Sequence, residues 1–167
     1  VPPKKGVRLR LAGPVAFDLV APTTCEVLDD ACVHALFARL GPDPLRDDAD
    51  EDEAVRRLVA SRLPVGAALL DQAVWSGVGN AWRAELLYLE RLSPTGRVDD
   101  DAARRLWRRT RELFALGRDA GQVVSDPDAP DERWVYKRAA CRGCGAPVLQ
   151  EQVGGRTSYR CSAEQPG

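Results

Sequence analysis

Three thiols and one carboxylate near the C-terminus carry the most specific spacing in this 167-residue chain. Cys141-Arg-Gly-Cys144 is followed by sixteen residues and then by Cys161-Ser-Ala-Glu164. A Cys-x-x-Cys turn brings two thiolates onto one metal, and two such turns at the ends of a hairpin complete a tetrahedron, as in a two-knuckle zinc ribbon. Glu164 stands where an all-thiolate site would have a fourth cysteine. Carboxylates also ligate zinc, so Cys141, Cys144, Cys161 and Glu164 are the expected ligands of a structural zinc, held less firmly than by four sulfurs. The bland alternative is a ribbon that has lost its metal. No histidine pattern of a zinc protease or deaminase accompanies the thiols.

The second chemical signal is Gly77-Val78-Gly79-Asn80, between two apolar stretches that read as helices. Two glycines around one small apolar residue allow a turn too tight for a β-carbon. The turn leaves backbone N–H groups unpaired at the positive end of the second helix, where a phosphate oxygen fits. Asn80 falls where an N-cap is expected. A plain helix–helix connection with a capping Asn has the same spacing.

The elements that must position these groups follow from the rest of the chain. Apolar residues make up 44%, enough for a packed core, and no stretch is long and apolar enough for a membrane span. Val7-Arg-Leu-Arg-Leu11 and Val15–Val20 read as strands around Gly13-Pro14, and Thr24–Leu28 as a third short strand. Asp29 or Asp30 caps a helix to about Leu40, with His34 on its surface; Asp52–Ser61 is a further helix, and Pro64 opens the first helix of the central motif. The second helix of that motif runs from Asn80 to Leu92, apolar on most sides, with Glu85 as a capping or pairing residue. A long amphipathic helix begins near Asp99 and ends at Gly121, its outer face lined with arginines that read as solvated surface or, less simply, as a DNA-facing stripe. Val148–Val153, Gly154-Gly155 and Thr157–Tyr159 form a hairpin by pattern.

The net charge of −1 is uninformative, but its distribution is not. Pro42–Glu53 holds seven acidic residues against Arg46, whereas Trp134–Cys161 holds Lys137, Arg138, Arg142, Arg156 and Arg160 against Glu151. A basic tail binds a polyanion locally even in a neutral chain. Five cysteines without a secretory leader argue for a reducing compartment, with Cys25 and Cys32 as buried thiols. Val1-Pro-Pro-Lys-Lys5 reads as sequence from the middle of a longer protein.

Taken together, Leu70-Asp-Gln72, Gly77-Val-Gly-Asn80, Glu85-Leu-Leu87, Ser93-Pro94, Val135-Tyr-Lys-Arg138, Cys141-x-x-Cys144, Gly155-Arg156-Thr157 and Cys161 resemble the C-terminal half of the formamidopyrimidine-DNA glycosylase and endonuclease VIII family. Gly41-Pro-Asp-Pro-Leu45 resembles the family's junction between β-sandwich and helical domain. The resemblance implies a mainly α chain with β remnants: the last strands of a truncated β-sandwich (1–28), a helix–two-turns–helix domain (29–124), a linker (125–133) and a small β-hairpin zinc ribbon (134–167). It implies a partner, double-stranded DNA with damaged bases or abasic sites, a base flipped out of the stack, and a monomer at the nucleoid in the cytoplasm. Carried over by position, Gly77, Gly79 and Asn80 hold phosphate, Arg156 at the ribbon tip holds the phosphates flanking the lesion, and Lys137 and Arg138 are neighbouring contacts. Such contacts position a duplex without reading its bases.

The family's nucleophile is an N-terminal proline followed by glutamate, its secondary amine forming a Schiff base with the deoxyribose C1′. Here neither Pro2 nor Pro3 is followed by Glu, so no catalytic residue is assigned and the chain is expected to bind DNA without catalysis. The alternatives are a non-catalytic nucleic-acid-binding module and a domain that holds structured RNA through a similar helical motif.

Overall fold

Alternating Val7-Arg-Leu-Arg-Leu11 forms the first strand of a two-stranded antiparallel hairpin, β1 (Val7–Ala12) against β2 (Ala16–Val20), with Leu9 opposite Leu19 and Leu11 opposite Phe17. Arg10 donates twice to the Asp18 carboxylate across the strands, at 2.6 and 2.7 Å. The computed structural model describes residues 2, 3, 5–22 and 24–165, and it divides into two compact units, 1–38 and 39–167. Helix α1 (Asp30–Arg39) follows the hairpin and is capped by Asp29, whose carboxylate accepts the Cys32 N–H at 2.7 Å. The expected third strand does not form; the described residues of 24–28 are irregular. A strand needs an edge to pair with, and pattern alone does not supply one. Cys25 and Cys32 are exposed rather than buried, because a hairpin and a helix that buries no residue enclose no core of their own.

The second unit is built on four helices. Its core joins Val55 and Leu58 of α2 (Glu51–Ala60), Val65 and Ala68 of α3 (Val65–Ala68), Leu86 and Leu87 of α4 (Asn80–Leu89), and Leu106, Trp107, Leu113 and Phe114 of α5 (Asp100–Ala120). Trp75 and Trp107 meet edge to face at its centre, 5.0 Å apart, and the Trp75 indole N–H donates to the Ala54 carbonyl at 2.8 Å. Asp50 and Asp99 cap α2 and α5 through the Glu53 and Ala102 N–H groups, and Gly121 ends α5 in the left-handed conformation, φ 67°. Gly117 lets α4 approach α5, since a Cβ there would lie 2.7 Å from the Trp82 ring.

The arginine face of α5 is not free. Arg104 pairs with Glu51 and Asp52, Arg108 with Glu51, and Arg109 with Glu90 and Glu112. Glu51 and Asp52 of the acidic segment thus form an ion-pair seam between α2 and α5, and with Glu90 and Glu112 they leave the stripe little net charge to offer a polyanion.

The chain after Pro64 also departs from expectation. The apolar run predicts a continuous helix, yet α3 is a single turn followed by further turns to Val78. Asp71 accepts the Ala73 N–H at 2.9 Å, while the Gln72 carboxamide accepts the Gly77 N–H at 2.8 Å and donates to the Val78 carbonyl at 3.2 Å. These side chains offer the backbone an alternative to helical bonding. The turns are strapped from outside by Gly41 and Pro42, whose N–H and C=O bond the Gln72 carbonyl and the Ser76 N–H at 2.8 and 3.1 Å.

The C-terminal hairpin pairs β3 (Val148–Val153) with β4 (Arg156–Cys161) in unbroken register from Val148–Cys161 to Val153–Arg156. Gly154 and Gly155 form its two-residue turn, with φ of 63° and 71°, the pair of left-handed residues that such a turn requires.

Candidate nucleic-acid interface

Gly79, not Asn80, caps α4, and Asn80 is the helix's first residue. Gly77 adopts φ 90°, a conformation that disfavours a side chain, but its N–H is already accepted by Gln72. The donors that remain at this elbow belong to exposed Gly79 and to the first turn of α4, whose N–H groups have no intrahelical acceptor. Asn80 is released from capping and turns to the hairpin instead: its Nδ2 donates to the Thr157 carbonyl at 3.0 Å, 77 residues away in sequence. Its Oδ1 is buried without a partner.

That one bond brings the elbow and the hairpin tip to the same side of the unit. Arg156, next to Thr157, is exposed at the tip. Beneath it lies Arg83 of α4, fully buried, donating to the Gly66 carbonyl at 3.2 Å, the Val153 carbonyl at 2.8 Å and the Thr157 carbonyl at 3.0 Å. Burial, reinforced by the like charge of Arg156, lowers the pKa of the Arg83 guanidinium from its ordinary value to about 10. Among the described residues no carboxylate forms an ion pair with it.

A second buried ion fixes the base of the hairpin. Glu85 of α4 is fully buried, and its carboxylate accepts the Trp134, Val135 and Tyr136 N–H groups at 2.7, 3.0 and 2.8 Å and the Ser125 hydroxyl. Three consecutive N–H groups around one carboxylate make a nest that ties the segment leading to the hairpin onto α4. Of the two cations beyond that nest, Lys137 is exposed at φ 57°, with its ammonium 5.4 Å from the Tyr136 ring. Arg138 is half-buried and donates to Glu132 at 2.9 Å, so its charge is largely committed.

The three thiols converge at the far end of the hairpin. The Cys141, Cys144 and Cys161 sulfurs lie within 4.8 Å of one another, and those of Cys144 and Cys161 are 3.4 Å apart. Burial raises the Cys141 thiol, but hydrogen bonding to Tyr88 and to the Cys144 and Gly143 N–H groups outweighs it, leaving the thiol below its ordinary value. This donor set fits three ligands of a tetrahedral metal. Glu164 stands apart from the sulfurs: its carboxylate is 3.4 Å from the Arg91 guanidinium, while its N–H donates to the Cys161 sulfur. The second knuckle is closed by buried Gln165, which accepts the Cys161 N–H at 2.9 Å and donates to the Leu92 carbonyl at 2.8 Å.

Residues 40–124 match the H2TH domain of formamidopyrimidine-DNA glycosylase. This chain belongs to the formamidopyrimidine-DNA glycosylase and endonuclease VIII family. Endonuclease 8 1 of Mycobacterium tuberculosis is 38% identical over 180 residues, covering 95% of this chain and 66% of that protein. Formamidopyrimidine-DNA glycosylase of Thermus thermophilus is 36% identical over 142 residues, or 75% of this chain and 53% of its own length. The chain thus spans two thirds or less of the length of these curated relatives. Among solved structures, the MutM (Fpg) protein of Thermus thermophilus superposes with a TM-score of 0.74 at 30% identity, over 98% of this chain and 70% of that one. A Lactococcus lactis Fpg bound to DNA containing an abasic site shares the fold, with a TM-score of 0.78 at 22% identity.

Three buried polar side chains of this family member escape the sequence reading as structural ties. Pattern singles out neither Arg83 nor Gln165, and it marks Glu85 only as a generic capping or pairing group. The available signal is an Arg and a Glu two residues apart on a helix otherwise apolar on most sides.

Proposed function

We propose that this chain grips the sugar–phosphate backbone of damaged duplex DNA, as the DNA-binding portion of a base-excision-repair glycosylase with associated abasic-site lyase chemistry. The observation that carries the reading is the Asn80–Thr157 bond at 3.0 Å, which brings the glycine elbow against the hairpin tip. One strand of a duplex laid across that junction meets two backbone-directed devices: the N–H groups of Gly79 and the first turn of α4, and the guanidinium of Arg156. A helix N-terminus and a forked cation are complementary to phosphate, and each charge-assisted contact is worth about 1.5–3 kcal/mol. Gly77 shapes the elbow, Asn80 ties it to the tip, and Lys137 extends the basic surface; Arg138, paired with Glu132, is the weakest contributor. Domain by domain, 29–124 supplies the elbow, 125–133 links, 134–167 is the finger, and 1–28 is the end of the β-sandwich.

The finger is a structural zinc site held by Cys141, Cys144 and Cys161, with Glu164 as fourth ligand if it leaves Arg91. Zinc when bound supplies a fixed hairpin base; the chemistry on DNA is not routed through it. No residue of this chain is assigned as a nucleophile, and we infer a monomeric DNA-binding unit in the cytoplasm, at the nucleoid.

Fluorescence anisotropy with a duplex containing a tetrahydrofuran abasic analogue tests this directly. The expected result is binding at low salt that exceeds binding to structured RNA and falls roughly tenfold to a hundredfold in R156Q. Absence of binding at low salt would refute it. Borohydride trapping is expected to give no covalent adduct with this chain, and an adduct would show that some amine here performs the lyase step.

A further inference from the structure

Among the described residues, Arg83 is buried without an opposite charge to face. Its guanidinium is fully buried, its Nε has no partner, and its other donors reach only neutral carbonyls. Buried charges ordinarily face an opposite charge, and a well-packed apolar side chain in such a place is often at least as stable. Burial lowers the affinity of Arg83 for its proton, and the like charge of Arg156 adds to that. Arg83 is buried and Arg156 is exposed, and among the described residues no carboxylate forms an ion pair with either.

The three carbonyls also have a geometric meaning. Val153 and Thr157 flank the turn that carries Arg156, while Gly66 lies just inside α3. Gly154, within the turn, sits so close to α3 that a Cβ would be 3.0 Å from the Ala67 Cα. Arg83 thus closes the mouth of the hairpin and seats its tip on the helices beside the elbow.

We propose that Arg83 is the positioning residue of the backbone clamp: it seats the Arg156 turn against the elbow and supplies a buried, unbalanced positive charge that a DNA phosphate neutralises. This rests on the DNA-gripping reading above and deepens it. The buried charge of Arg83 meets only neutral carbonyls in the unbound chain and is offset when a phosphate arrives, so stability is given up for affinity.

The test compares wild type, R83M, R83K and R156Q, using the tetrahydrofuran duplex between about 50 and 200 mM salt, with thermal melts of each protein alone. R83M is expected to bind roughly tenfold or more weakly, with the slope of log Kd against log salt reduced by up to about one. R83K restores the charge without the three-carbonyl fork, so it recovers the slope but only part of the affinity. R156Q, an exposed substitution that removes the like charge, is expected to raise the melting temperature by about 1–3 °C while losing DNA. Folded R83M with wild-type affinity and slope would overturn the role of Arg83, as would an R156Q melt no higher than wild type, even if R83M failed to fold. Failure of the wild-type chain to bind any duplex would instead overturn the DNA-gripping reading itself.

Discussion

Replacing Glu85 by alanine is the severest single test of how the hairpin is held. The carboxylate is fully buried and accepts four donors: the N–H groups of Trp134, Val135 and Tyr136 and the hydroxyl of Ser125. E85A leaves all four without their acceptor. Each orphaned buried donor costs about 1–3 kcal/mol, and water entering the vacated volume recovers part of that. A net loss of about 4 kcal/mol is expected, a large share of the roughly 5–15 kcal/mol typical of a domain. For a unit of this size that corresponds to a fall in melting temperature of roughly 15 °C. E85Q keeps the shape and one acceptor oxygen but turns an NH2 towards N–H and O–H donors, so a loss of about 2 kcal/mol is expected. Urea unfolding gives the magnitude, and hydrogen exchange gives the location: amides of Trp134–Tyr136 should lose protection first. If E85A lost less than about 1 kcal/mol and kept those amides protected, the nest would not be what anchors the hairpin.

Gly154→Ala forces a side chain to within 3.1 Å of the Ala67 Cβ at φ 63°, so it should destabilise the tip by about 1–2 kcal/mol and weaken DNA binding, as melts and anisotropy would register. Arg108, with Arg104 adding to the effect, holds the Glu51 carboxylate below its usual 4.5; a lowered folded value stabilises above the unfolded one and is lost as pH falls. E51Q should therefore melt below wild type at about pH 7, with the difference shrinking as the pH falls below about 4.5, whereas a constant difference would count against the ion-pair seam. Zinc is expected at one equivalent in the purified protein by metal analysis; C141S should lower that occupancy, and a chelator should loosen the knuckles while Gln165 keeps β4 docked.

What the sequence shows and what it hides divide along the range of the interactions. Asp29 and Asp99 cap helices through backbone groups three residues away, and the Gly154-Gly155 pair makes its own turn, so α1, α5 and the hairpin were legible. The apolar run after Pro64 misleads because Asp71 and Gln72 redirect the backbone, and side-chain competition of that kind leaves no periodicity to read. The 24–28 stretch has the composition of a strand but pairs with neither open edge of the β1–β2 hairpin. The elbow is legible as a motif, yet its working parts are displaced by one residue: Gly79 caps, and Asn80 spans to Thr157. Arg83, Glu85 and Gln165 act through partners between 17 and 74 residues away, except for Gln165's bond to nearby Cys161, and charge on an apolar helix marks them as unusual without naming those partners. The arginine stripe of α5 has an ambiguous reading that only its pairing with Glu51, Asp52, Glu90 and Glu112 resolves.

Hydrogen–deuterium exchange of the chain with and without an abasic-analogue duplex tests the shared clamp most directly. Simultaneous protection of the 78–82 and 154–157 amides, with the outer face of α5 unchanged, is the expected result. Protection of the α5 face alone, or of one segment without the other, would contradict a single strand lying across both elbow and tip.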